Sequence, residues 1–567
     1  MSAIQQSVPE VPLRSPETVM RMDRLGSFHQ CRLSFMRTLL RRLKSENWRF
    51  DRPRFEINEI GVGVAVYTAM GPQRTYSLVC FAHDLPPEQR SDRVIAEAWD
   101  ATFTLFDGVP DEADIKRLSE NVPKHEAGRV SHREICLSRA NRSGRLFTYV
   151  VDCLASGQQP DIEQVEAVGY LMRTTAVYGS GKFGAADREA IADRPEFAGP
   201  FQAEMLTVFL IRAFVLDLVE HMARTKSPAT AVVLEPNLRR RFGVGNSTGL
   251  GLAPFIVNHP VLLNNWIIAR ETALARVRAL SSADDTAINY FKAMLTRTGI
   301  NTEQWHSAHE LQIEKLILLK SDLQKLEDHI ATDVLEESAP WDKLYKWAED
   351  NLSLEGQEQL VSLMLEPYSD LVDGVADCMG ADETAGFRID GAMRVDQLRE
   401  IVEDVYGWAL NIDWSARESL ARVWYVSEEK LEPRLGERFE EPIEPYEQPL
   451  APGRDAAAMY RDIKTWDGDP TVAAFVLRHP EHRHMVRRVQ VTAKYPYAEI
   501  RDNTIGSSLL PIDLLRCKLA FFGATHFDPR SDRWVRINMF KNAPFPHELE
   551  NADADEWCYP PLVGNSS

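Results

Sequence analysis

The stretch MLTVFLIRAFVLDLVEHM (205–222) limits most strongly what this chain can become. It is the most apolar helical run in the sequence and has no broad polar face, so as a helix it must be covered nearly all round. Arg212, Asp217 and Glu220 interrupt it, which argues for a buried core helix and against a membrane span. The chain is long enough to build that cover: 567 residues suffice for a large core and two to four domains. Apolar residues at 44% and charged residues at 26% are the balance of a folded chain, with disorder expected only at the ends.

Charge and cysteines narrow the function classes. With 65 Lys and Arg against 84 Asp and Glu, the formal charge is −19. An acidic chain repels phosphate backbones, so no nucleic-acid partner is expected, although a local basic pocket stays open. The seven cysteines (31, 80, 136, 153, 378, 517 and 558) are odd in number and form no CxxC. They read as reduced thiols. The start, MSAIQQSVPEVPLRSPETV, has no basic region followed by an apolar run and so no signal peptide. No membrane partner and a cytoplasmic location are expected.

The patterning predicts a multi-segment α+β protein: an N-terminal antiparallel or mixed sheet region, a long helical middle, and a smaller C-terminal α/β piece. Residues 1–20 read as a loose N-terminus, with prolines at 9, 12 and 16. Over 21–160, FHQCRLSFMRTLLRRLKSENW suggests an amphipathic helix. RFEINEIGVGVAVYTAM, RTYSLVCFAHDL and DATFTLFDGV suggest strands, with MGPQR as a hairpin turn. GRLFTYVVDCLA reads as a further strand. From 161 to 432 helical periodicity dominates, beginning with DIEQVEAVGYLMRTTAVY. Leu316, Leu319, Leu323, Leu326 and Ile330 follow a 3-4-3-4 spacing, a short heptad seam suited to a helical hairpin or a homo-oligomer contact through 311–330. Residues 433–454, with five prolines from Pro433 to Pro452, cannot be a long helix or a central strand and read as a linker or strap. Residues 455–567 would form the C-terminal piece, with HMVRRVQVTAKY as a strand and PIDLLRCKLAFFG as a helix.

Glycine-rich stretches supply the candidate binding residues. In FGVGNSTGLGLAPF (242–255), Gly245, Gly249 and Gly251 let backbone approach a ligand, and Asn246, Ser247 and Thr248 add short polar groups. A helix start beyond such a loop favours an anion, and Arg241 with its neighbours Arg239 and Arg240 brings positive charge. The pattern is neither a Walker A loop nor GxGxxG. NTIGSSLLP (503–511) repeats the N-x-x-G-x-x-L-x-P of NSTGLGLAP (246–254), which adds Asn503, Thr504 and Gly506 as candidate contacts. Lys182, on the glycine turn of VYGSGKFGAADRE, offers a point charge or a base. Each of these loops also has a plain structural reading, as a helix cap or stop.

Three residues are candidates for proton transfer. His259 precedes Pro260, where a helix start would hold it near a bound anion. His526 alternates with Asp528 in GATHFDPRSDRW, and Lys182 is the third. Arg270 and Glu271 lie on an otherwise apolar helix and need buried partners, so Arg270 is a candidate substrate contact or support for one. RHPEHRHM holds His479, His482 and His484 at a spacing that suits neither HExxH nor a facial triad, so no metal site is expected. No motif names a cofactor. The preferred reading is an enzyme that binds a phosphorylated or carboxylate-bearing small molecule in one cleft, with acid–base chemistry of lyase, isomerase or hydrolase type. The alternatives are a non-catalytic interaction protein using the heptad helix and the strap, and a nucleotide-cofactor enzyme with an unclassified loop.

Overall fold

A computed structural model describes residues 11–86, 99–124, 131–174, 191, 193–248, 259–380, 387–416, 424–427, 433–435, 447–450, 452–501, 511–523, 528–529, 535–551 and 555–559. The fold class is mixed α and β, as the patterning predicts. The strands are β1 Arg49–Ile57, β2 Gly63–Met70, β3 Thr75–Ala82, β4 Ala101–Asp107, β5 Glu134–Arg142, β6 Tyr170–Thr174, β7 Gly243–Thr248, β8 Trp424–Ser427, β9 Pro433–Leu435, β10 Glu447–Leu450, β11 Asp528–Pro529 and β12 Val535–Met539. The chain divides into two compact units, each assembled from separate segments. One comprises 30–248, 289–327 and 519–567; the other comprises 1–29, 249–288 and 328–518.

The first unit is built on a nine-stranded sheet in the order β1-β2-β3-β4-β5-β6-β7-β12-β11. All neighbours are antiparallel except β6 and β7, which run parallel. Met70 faces Thr75 across the expected hairpin, and Gly71 N donates to Arg74 O at 2.9 Å. Alternation along the strands gives the sheet two apolar faces. On one, Val66, Val79, Phe81, Phe106 and Leu137 pack with Ile115 and Leu118 of the helix Glu112–Asn121. On the other lies the helix Gln202–Lys226, where Phe209 meets Phe50 and Phe540, and Phe214 meets Tyr67 and Phe103. Its interrupting charges all have partners. Arg212 donates to the carbonyls of Phe242 (2.7 Å), Ala543 (2.8 Å) and Arg240 (3.0 Å), Asp217 accepts from Tyr67 and Arg52, and Glu220 accepts from Leu234 N. Burial with such partners is what keeps a charged group tolerable in a core. Among the described residues no helix is long and apolar enough to cross a membrane.

The second unit contains the helices Met22–Leu25, Pro260–Arg278, Pro340–Asn351 and Leu354–Leu365. It also contains a bundle of Val395–Leu410, Pro452–Lys464, Val472–Arg478 and Arg483–Lys494 around Leu398, Val402, Met459, Phe475 and Val486. A three-stranded sheet, in the order β10-β8-β9, pairs β8, just ahead of the proline-rich stretch, with two strands inside that stretch. Its prolines, Pro433 and Pro449, fall on the two edge strands, the place in a sheet that tolerates proline.

Four local expectations are corrected. GRLFTYVVDCLA holds the helix Phe147–Ala155, because Phe147, Val150, Val151 and Leu154 are spaced for one buried helical face. HMVRRVQVTAKY lies in the helix Arg483–Lys494 for the same reason, with Met485, Val486 and Val489 inward. DIEQVEAVGYLMRTTAVY is a one-turn helix, Ile162–Glu166, followed after Gly169 (φ 73°) by β6. In the N-terminal stretch expected to be loose, Pro16 opens a short helix and Arg14, Val19 and Met20 are buried. The heptad residues Leu316, Leu319, Leu323, Leu326 and Ile330 are all buried on the helix Glu310–Ile330, so that seam is used inside the chain.

Candidate functional site

The polar centre of the second unit grows from the helix Leu354–Leu365. Ser353 caps it, its hydroxyl accepting from Gly356 N at 3.2 Å. Every residue from Glu355 to Leu365 is buried. Glu355, Glu358 and Ser362 recur at helical spacing and share one face. Two buried carboxylates there require cations, because an unpaired buried charge is far too costly to keep.

The cations come from distant parts of the sequence. Glu358 accepts from Arg14 at 2.6 Å, from Arg24 at 2.7 Å and from Arg270 at 2.7 Å. Arg14 also grips Glu271 with two parallel bonds, 2.8 and 2.7 Å. Burial would raise the Glu358 carboxyl, but Arg14, Arg270 and Arg24 outweigh it and hold it well below the usual carboxylate range. Three guanidiniums thus face two carboxylates, Glu271 and Glu358. Tyr497 ties this cluster to the start of the helix Pro260–Arg278: its hydroxyl donates to Arg14 O at 2.6 Å and its N–H donates to Asn264 Oδ1 at 3.0 Å. Burial, with Glu271 nearby, pushes the Tyr497 phenol up to about 12.

One helical turn away, Glu355 meets His29. His29 Nε2 lies 2.8 Å from Glu355 Oε1, and Arg516 reaches the same oxygen. Both His29 and Glu355 are buried, and Ser362 Oγ donates to His29 O at 3.2 Å, fixing its backbone. Burial would raise the Glu355 carboxyl too, but Arg516 and His29 hold it down to about 2. An ionised carboxylate only accepts, so Nε2 carries the hydrogen and Nδ1 keeps the lone pair in the neutral ring. Arg270 sits over the ring of Phe28, 4.0 Å from its centroid, next to His29 in sequence, and this links the histidine–glutamate pair to the arginine cluster. Among the described residues Glu355 Oε2 is buried without a hydrogen-bond partner. Such an arrangement can relay a proton through the imidazole and hold a negative charge beside the guanidiniums.

The expected site residues are distributed between the two units. His259 immediately precedes the helix Pro260–Arg278, as expected, and its carbonyl accepts from Leu263 N at 3.1 Å. Arg270, a candidate substrate contact, is fully buried and engaged with Glu358. Arg241 ends the helix Pro236–Arg241 in the sheet unit and is bound to Glu166 at 2.6 Å, which Lys541 also contacts. Arg241, expected to bring positive charge to an anion, is thus already paired with a carboxylate.

The glycine loop itself is revised. Asn246, Ser247 and Thr248 belong to β7, inside the sheet between β6 and β12. A Cβ on Gly245 would lie 2.6 Å from the Tyr170 ring, and one on Gly243 would lie 2.6 Å from Met539 O. These glycines serve the close approach of neighbouring strands. Asn246 is buried, and among the described residues neither its Oδ1 nor its Nδ2 has a hydrogen-bond partner. Lys182, His526, Gly249, Gly251, Asn503, Thr504 and Gly506 lie outside the described residues. Sequence reasoning missed His29, Glu355, Glu358 and Arg14. The legible signal was SLEGQEQLVSLML, where acids at a helical spacing run into a strongly apolar stretch.

No protein-family model matches the chain, and neither a curated protein nor a solved structure is significantly similar to it.

Proposed function

We propose that the protein is an enzyme acting on a small anionic molecule, phosphorylated or carboxylate-bearing. Its chemistry is proton transfer of lyase, isomerase or hydrolase type. The observation that carries this reading is the buried His29–Glu355 pair, 2.8 Å apart, with Arg516 on the same carboxylate. In that role Glu355 orients the imidazole and stabilises its protonated form, and His29 moves the proton. The excess of guanidiniums over carboxylates among Arg14, Arg24, Arg270, Glu271 and Glu358 favours an anion nearby. Replacing buried ion networks with apolar residues is often neutral or stabilising, so folding alone is a weak reason to keep one; perturbed buried groups cluster at functional sites.

The test is a thermal-shift screen of phosphorylated metabolites, carboxylates and nucleotides, followed by turnover assays with any ligand found. A ligand at about 100 times its Kd adds ~2.7 kcal/mol to stability. His29→Gln is expected to retain ligand binding and to lose turnover by about 10²-fold or more. Absence of any shift in a folded wild type, or wild-type turnover by His29→Gln, rejects the proposal.

A second reading is a homo-oligomer or interaction protein. It draws on the outward side of the helix Glu310–Ile330, where Ile317 is 62% and Leu318 51% exposed, with Ile313 beside them. Light scattering of the wild type and Ile317→Glu separates the readings: a second copy seated there predicts a dimer that the variant turns into a monomer.

A further inference from the structure

We infer that Asp462, His479, Glu481 and His482 form a binding site for a divalent transition-metal ion. One ligand atom from each lies within 4.8 Å of all the others. His482 Nε2 is 2.6 Å from Asp462 Oδ2, His479 Nδ1 is 3.9 Å from the same oxygen, and His479 Nδ1 is 3.2 Å from Glu481 Oε1. Ligand atoms bound at ~2.0–2.2 Å around a tetrahedral ion stand roughly 3.3–3.6 Å apart, so modest side-chain rotations about the present positions suffice.

The local chain explains why these groups meet. His479 follows the helix Val472–Arg478, its N–H donating to Phe475 O at 2.8 Å. The short turn Pro480–His482 then reverses the path, with His482 N donating to His479 O at 3.1 Å, and the helix Arg483–Lys494 begins. Asp462 arrives from the last turn of the helix Pro452–Lys464. Phe475 backs both imidazoles, with ring centroids 5.0 Å from His479 and 6.1 Å from His482, and Trp466 stands edge-on to His479. Phe475, Ile463 and Met485 belong to the bundle core, so the donors are carried on packed helices and not on a free loop.

Two imidazoles and two carboxylates are a donor set for Zn²⁺, Co²⁺, Ni²⁺, Mn²⁺ or Fe²⁺. Mg²⁺ and Ca²⁺ prefer all-oxygen shells. The side chains of Asp462 and Glu481 are 42% and 58% exposed, so water reaches the ion and can complete its shell. The spacing His-Pro-Glu-His hides the site in the sequence, because the fourth donor comes from seventeen residues earlier on another helix.

The experiment uses the full chain, stripped with chelator and free of any affinity tag, titrated with Zn²⁺ by calorimetry and with Co²⁺ by visible absorption. One ion per chain and cobalt d–d bands are expected. His479→Ala and Asp462→Asn should each weaken binding by 10-fold or more, with helix content by circular dichroism unchanged. His484→Ala should leave binding as it is, since His484 lies outside the cluster. Acidification should release the ion, because protonated imidazole cannot ligate. Absence of stoichiometric binding near neutral pH overturns the site. So does binding that survives both His479→Ala and Asp462→Asn, or that His484→Ala abolishes.

Discussion

At the scale of the residue, the second unit concentrates its electrostatics on two carboxylates one helical turn apart. Glu355 is held down to about 2 from an ordinary 4.5, so it stays ionised in the fold where an unfolded chain would already bind a proton. The stability this contributes is fully present above about pH 4.5 and is lost as pH falls toward 2. Urea midpoints should therefore be level from pH 7 to 5 and decline below 4.5, and Glu355→Gln should make that decline shallower. An unchanged decline in the variant would mean that Glu355 is not ionised in the folded protein. Asn246 presents the opposite case, a buried amide with no hydrogen-bond partner among the described residues. Such a group costs about 1–3 kcal/mol, and Asn246→Leu, of similar size, should raise the ligand-free melting temperature. A fall instead would show that the amide has a partner in solution, such as an ordered water. At Gly245 the glycine was legible in sequence and its reason was not. It reads as ligand approach, whereas the ring of Tyr170 occupies the space.

Among elements, the helix Leu354–Leu365 organises the candidate site, and its start is secured by one hydroxyl. Ser353→Ala should cost about 1 kcal/mol and should loosen the first turn, which carries Glu355. Hydrogen exchange at Gln357 and Glu358, compared between variant and wild type, reads this out; equal protection would mean that packing alone holds the turn. Long, predominantly apolar runs identified the helices Gln202–Lys226 and Pro260–Arg278 from sequence, and the turn MGPQR identified the hairpin β2–β3. Phe147–Ala155 and Arg483–Lys494 read as strands because β-branched residues make up a third of each, and short apolar runs satisfy period 2 and period 3.6 almost equally. β7 was misread for a different reason. GVGNST has little strand propensity of its own and is extended because β6 and β12 supply its ladder bonds.

For the molecule as a whole, the chain crosses between its two compact units repeatedly. Residues 11–29 supply Arg14, Arg24 and His29 to a cluster whose acids, Glu271, Glu355 and Glu358, lie hundreds of residues later. A fragment spanning 249–518 would leave those carboxylates short of partners, and removing one member of a buried ion pair typically costs about 3–5 kcal/mol. The fragment should be largely unfolded by circular dichroism, and a peptide of residues 1–29 should recover part of its helix signal. A fragment that folds fully alone would show that the N-terminal arginines are dispensable. What the sequence by itself determined is local and additive: the α+β class, the buried long helix with its tolerated charges, the exclusion of a long helix or a central strand from the proline-rich stretch, and the helix start at His259. Tertiary structure alone decided which charges meet. The pairs Arg14–Glu271, Arg270–Glu358 and His29–Glu355 span 257, 88 and 326 residues. Periodicity reports only which face of an element is buried, and the Coulomb partner of a buried charge is set by whatever the fold brings within a few ångströms of it.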